Sequence, residues 1–326
     1  MYNKTMEKTT ITIDMDAIEY NYKLLRKITN QGELCIPIIK GNGYGCNYFD
    51  MVNRYITMKE PQRDFFVYSI VEGAELREQF GDKINNIYCV TGPMESQEKI
   101  YYKYRIIPVI NSIEQLNLWS NFAKEKKEIL KIVLQFNLSL NRSGLQQSEI
   151  EYVKNFVADK GNNLELVLVM GHLAHQHELN SELGRKLTKR EFELFENGYK
   201  HFPGIKRGLL GTEGILKIRE GLFEFSRPGT VLVTGQPDFE KEYIFKTAIT
   251  IVSPIFLDED KNLIYINFGI RQGLSSCYGN HGFALVDGEK IYANRIEMDR
   301  TYFTVEDNKK YENKKCYCWA IEEVTT

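Results

Sequence analysis

The 326-residue sequence predicts an α/β fold, a (β/α)8 TIM-type barrel followed by a C-terminal all-β domain. Three observations carry that prediction. Short apolar, β-branched runs recur between residues 10 and 235, amphipathic stretches of helical spacing separate them, and beyond Gly235 the helical period gives way to alternating strands.

In chain order, the alternating segment TTITIDMD adds a strand to the β domain, so residues 1–9 are read as an N-terminal strand joining it. Eight runs then follow over 10–235: ELCIPIIK, FFVYSIV, NNIYCVTG, IIPVI, LKIVLQFNL, LELVLVMGHLAH, IKRGLL and FSRPGTVLV. Stretches such as SEIEYVKNFVADKG and SELGRKLTKREFELFENGYKHF supply the helices between them, and eight βα units favour a closed barrel over an open sheet. Residues 236–326 hold the strands of the β domain, with LDEDKN and VDGEK as hairpin connectors.

Composition limits the partners. Lys plus Arg number 42 against 44 Asp plus Glu, a net charge of −2, with 43% apolar and 26% charged residues. This is a globular profile without the clustered basic surface that a phosphate backbone requires, so no nucleic-acid partner is expected. The start MYNKTMEKTTITIDMD has no apolar centre, and no stretch approaches the roughly 18 apolar residues of a spanning helix, so no membrane partner and a cytoplasmic location are expected. The six cysteines form no CxxC pair and read as reduced thiols.

Reactive groups of a TIM-type barrel sit where strands end. In IPIIKGNGYGCN, Lys40 directly follows a buried run, and apolar walls favour its free amine, which makes it a candidate covalent anchor. Gly41, Gly43 and Gly45 permit a sharp turn, and Tyr44 can bring its hydroxyl to the same pocket. His172, His175 and His177 form an HxxHxH pattern, but no acidic or cysteine partner is spaced nearby, and no metal is assigned.

IPIIKGNGYG resembles the cofactor-lysine motif of the alanine racemases, fold-type III pyridoxal-phosphate enzymes. FFVYSIVEGAELRE, IIPVINSIEQL, LNRSG, GHLAH, SRPGT and ANRIEMDR resemble later family segments in the same order, over nearly the whole chain. The resemblance implies pyridoxal 5'-phosphate as cofactor, with residues 10–235 as the domain that binds it. Lys40 would be the Schiff-base lysine and the base on one face of the substrate α-carbon, and Tyr44 would bond the phosphate. It further implies that Arg142 faces the phenolic oxygen, His172 stacks on the pyridine ring and Arg227 hydrogen-bonds the ring nitrogen. Thr212, Gly229 and Thr230 would complete the phosphate site. Because a guanidinium cannot accept a proton, that ring nitrogen stays unprotonated, which favours simple proton removal and return.

The chain departs from the family at the opposite face. The family's proton donor there, a tyrosine in a Ser-Tyr-Gly segment of the partner subunit, has no counterpart: either the segment is deleted at LDEDKN, or Phe268 stands in its place. Ile270 occupies the position of a second family tyrosine, and Gln135 that of the lysine orienting the arginine. Tyr278, Cys277 and His281 in GLSSCYGNHG are candidate substitutes. The function expected is therefore a pyridoxal-phosphate-dependent amino-acid racemase, an isomerase, working as a homodimer on a small-molecule amino-acid substrate. The alternatives are another α-carbon reaction such as decarboxylation, which Arg227 disfavours, and a catalytically silent cofactor-binding homologue.

Overall fold

The structure is a computed structural model and describes residues 8–139, 143–176, 178–235, 244–260, 262–272 and 283–318. The described residues form two compact units, one within Ile18–Leu232 and one within Met1–Ala17 with Val233–Thr326. Strand β1 (Thr10–Ile13) belongs to the latter.

The larger unit is built on six parallel strands hydrogen-bonded in chain order: β2 (Phe65–Val67), β3 (Ile87–Cys89), β4 (Ile106–Ile110), β5 (Leu130–Gln135), β6 (Leu164–Met170) and β7 (Lys206–Gly208). Two further extended segments close the ring. Ile36 and Ile38 donate to the carbonyls of Ser226 and Pro228 at 2.9 and 3.0 Å, Ile39 donates to Phe66 at 2.9 Å, and Phe225 donates to Arg207 at 3.1 Å. The eight runs of the sequence thus make an eight-membered parallel barrel. Pro37 and Pro228 explain why the two closing segments pair through isolated bridges rather than regular ladders, since each lacks an N–H and removes a rung.

Ile38, Phe66, Val109, Val133, Met170 and Phe225 belong to the apolar cluster of the barrel strands, all buried. Helices between the strands start on side-chain caps: Ser69 for Ile70–Phe80, Ser112 for Ile113–Lys126 and Ser181 for Glu182–Tyr199, each hydroxyl accepting a first-turn N–H. One run differs from its sequence pattern. Its tail, Val231–Thr234, is a single helical turn, because Pro228 and Gly229 end the extended segment and Leu232 donates back to the Gly229 carbonyl at 3.0 Å.

The second unit is antiparallel. Its strands are β8 (Ile249–Pro254), β9 (Phe256–Leu257), β10 (Leu263–Ile266), β11 (Phe283–Val286), β12 (Glu289–Ile296), β13 (Thr301–Thr304) and β14 (Lys315–Cys318), ordered β1-β8-β14-β11-β12-β13-β10-β9. Asp287 and Gly288, with φ of 51° and 85°, provide the two positive φ values of a type I′ turn between β11 and β12. Ile264, Ile266, Phe303 and Phe268 fill its core, so Phe268 faces apolar neighbours. Among the described residues no helix is long and apolar enough to cross a membrane.

Candidate active site

A cavity of about 750 Å³ opens where the barrel strands end, and all eight strand ends contribute to its wall. Lys40, Tyr44, His172, Thr212, Arg227, Gly229 and Thr230 all line it. Arg142 lies outside the described residues, although Ser139 and Ser143 on either side of its segment line the same cavity. Cys277, Tyr278, His281 and His177 also lie outside them.

Lys40 and Tyr44 reach one cavity through a left-handed turn. Gly41, Asn42 and Gly43 take φ/ψ near 63°/46°, 53°/46° and 65°/39°, and Tyr44 and Gly45 continue with φ of 56° and 88°. Backbone bonds from Gly43 to the Ile39 carbonyl at 2.9 Å and from Gly45 to the Gly41 carbonyl at 3.0 Å close it. Each non-glycine residue in this region costs about 1–2 kcal/mol, so the turn needs outside support. Glu72 provides it: Oε1 accepts the Gly41 N–H at 2.8 Å, and Oε2 accepts those of Tyr68 and Ser69 at 2.8 and 3.2 Å. The sequence reading did not single out Glu72, although Ser69-x-x-Glu72 is a legible capping box.

Across the barrel seam, Gly229 makes the seat for Tyr44. A Cβ there would fall 2.1 Å from Tyr44 Oη and 3.0 Å from Ile38 Cγ2. Burial pushes the Tyr44 phenol up to about 12, with the Arg227 guanidinium opposing that rise, so it remains a neutral donor at ordinary pH. Gly229 N–H donates to Thr212 Oγ1 at 3.1 Å, which leaves the threonine proton for another acceptor.

Arg227 is buried, with one guanidinium nitrogen donating to the Gly171 carbonyl at 2.5 Å and its centre 5.6 Å from the Phe66 ring. It thereby anchors the residue before His172. At the end of β5, Gln135 Nε2 donates to the Ser143 carbonyl and hydroxyl at 3.0 and 2.9 Å, fixing one flank of the segment that carries Arg142. Two further wall residues escaped the sequence reading. Asn111 Oδ1 and Gln176 Oε1 are buried and lack a hydrogen-bond partner among the described residues. Asn111 lies in IIPVINSIEQL and Gln176 inside the HxxHxH pattern, but neither is a residue type that those patterns single out. His175, part of the HxxHxH pattern, pairs instead with Glu191, and the described residues contain no group of three His, Cys, Asp or Glu side chains able to hold a metal.

A family model described as the alanine racemase N-terminal domain matches residues 13–237. The chain is 28% identical over 315 residues to an alanine racemase of Rickettsia akari, covering 93% of this chain and 86% of that one. It is 31% identical over 227 residues to an alanine racemase of Rickettsia prowazekii, covering 70% and 54%. Among solved structures, an alanine racemase from Bartonella henselae with covalently bound pyridoxal phosphate superposes with a TM-score of 0.80 at 21% identity, covering 95% of this chain and 89% of that one. A biosynthetic alanine racemase from Pseudomonas aeruginosa gives 0.80 at 19%, covering 97% and 91%.

Proposed function

Since this chain belongs to the alanine racemase family, we propose that it is a pyridoxal-phosphate-dependent amino-acid racemase, with the cofactor held within residues 10–235 and residues 236–326 as a separate β domain. The observation that carries the reading is the convergence of Lys40, Tyr44, His172, Thr212, Arg227, Gly229 and Thr230 on one cavity. The residues fit the cofactor. A neutral phenol, a threonine hydroxyl with its proton free to donate, and a glycine with no space for a side chain form a cradle suited to a phosphate group. Lys40 would hold the aldehyde carbon through its amine, His172 would flank the ring, and Arg227 would donate to the ring nitrogen. Arg142 would face the phenolic oxygen. When bound, pyridoxal phosphate withdraws electrons from the α-carbon of an attached amino acid and acidifies its proton.

The chain's own work is proton handling and placement. Lys40 Nζ, released when the substrate amine takes its place on the aldehyde carbon, would remove the α-proton of one enantiomer or deliver the proton that forms it, always on one face. Arg227, permanently charged and unable to accept a proton, keeps the ring nitrogen from gaining one, which suits a reaction confined to proton removal and return. The donor for the opposite face is assigned to Tyr278, Cys277 or His281 of the segment GLSSCYGNHG, delivered by a second copy of the chain in a cytoplasmic homodimer.

Three measurements test this. Protein loaded with pyridoxal phosphate should show a visible band that borohydride abolishes and that Lys40→Ala lacks. Single amino-acid enantiomers in deuterium oxide should then exchange the α-proton with inversion. Exchange without inversion would leave Lys40 acting alone, no exchange would make the protein a silent binder, and carbon dioxide release would make it a decarboxylase. Sedimentation as a monomer at micromolar concentration would overturn the dimer.

A further inference from the structure

Glu191, on the helix Glu182–Tyr199, is fully buried, and a carboxylate so placed is costly unless donors fill its lone pairs. They do. The Ala174 N–H reaches both oxygens at 3.2 and 3.1 Å, the Ser139 hydroxyl donates to Oε1, and His175 Nδ1 lies 2.9 Å from the same oxygen. The donors come from two loops. Ser139 follows β5, lines the cavity and leads directly into the segment with Arg142. Ala174 and His175 follow β6 and lie between His172 and Gln176, which both line the cavity. Glu191 itself is not part of the wall. Because the Ser139 hydroxyl is bound to the carboxylate and not to the imidazole, the trio is not a nucleophile relay.

We infer that Glu191 is a positioning residue, with Ser139 and His175 as its two arms, that locks the residues following β5 and β6 together and so holds Ser139 and His172 in place in the wall of the cofactor cavity. The inference rests on the cofactor reading above. It also gives His175 a role of its own within the histidine pattern.

The test uses the full chain with Ser139→Ala, His175→Ala and Glu191→Gln, and two rescuing variants, Ser139→Thr, which keeps a hydroxyl, and His175→Asn, which keeps a nitrogen near Nδ1. Hydrogen–deuterium exchange without added ligand should show that each damaging variant speeds exchange in both loops, residues 135–145 and 171–178, whichever loop carries the change. Faster exchange confined to the substituted loop would overturn the clamp. Titration with pyridoxal phosphate, followed by absorbance and visible circular dichroism, should show binding weakened roughly tenfold in Ser139→Ala, beyond what its lowered urea-unfolding midpoint accounts for, and restored in Ser139→Thr. Unchanged affinity, or a loss that merely tracks stability, would also overturn it. Should the unsubstituted protein take up no pyridoxal phosphate, the cofactor reading fails, while the exchange comparison still decides whether the two loops are locked.

Discussion

Gly229 and Tyr44 are complementary shapes, one empty where the other is full. In Gly229→Ala the added carbon would lie 2.1 Å from Tyr44 Oη, so the phenol must leave its seat. The expected cost is about 1–3 kcal/mol of stability, by urea unfolding, together with at least a tenfold loss of pyridoxal-phosphate affinity. Retained affinity would remove Tyr44 from the phosphate site. Tyr44 also predicts a pH effect. Its phenol is pushed by burial from 10.0 to about 12. Below pH 10 the folded and unfolded phenols are both protonated. Between 10 and 12 only the unfolded chain releases its proton, so stability falls as pH rises through that window. Tyr22, Tyr55 and Tyr101, also raised by burial, share this fall. Tyr44→Phe should make it shallower in denaturant midpoints measured from pH 9 to 12, and an equally steep fall would contradict the assignment. The proximity of Lys40 and Tyr44 was legible in the glycine spacing of KGNGYG. The handedness of the turn was not, because Asn42 and Tyr44 occupy the left-handed region too, against their intrinsic preference.

Between elements, Glu72 does two jobs with one carboxylate. It caps its own helix with Ser69 and accepts the N–H of the residue after Lys40. Ser69→Ala removes a capping bond and leaves the Gly41 bond in place, at a cost of about 1 kcal/mol. Glu72→Gln turns an amide NH2 toward backbone donors on one side or the other. It is expected to match Ser69→Ala in thermal unfolding yet weaken pyridoxal-phosphate uptake several-fold, where Ser69→Ala does not. Equal uptake in both variants would reduce Glu72 to a helix cap. The cap was readable from Ser-x-x-Glu; the tie to another strand end was not, since local spacing says nothing of which loop lies opposite. The same blindness hides Glu191, which is 16 residues from His175 and meets it only through the phase of a helix.

At the scale of the molecule, the apolar runs were sufficient to give the parallel barrel, because a strand covered on both faces has little freedom in composition. The hairpin at VDGEK was equally plain, its Asp-Gly pair taking the two positive φ values that a type I′ turn requires. Closure was less visible. Its two last members are interrupted by Pro37 and Pro228, and they pair through single bridges, so the seam between them is the thinly bonded part of the ring. Lys40 stands just beyond one bank of that seam, and Arg227, Gly229 and Thr230 lie on or just beyond the other. A guest gripped by both banks acts as a rivet, fastening the hoop where its own stitching is sparse. Saturation at a hundred times the dissociation constant should stabilise the fold by about 2.7 kcal/mol, and the protection it brings to exchanging amides should gather along residues 35–39 and 225–229 before reaching the far side of the hoop.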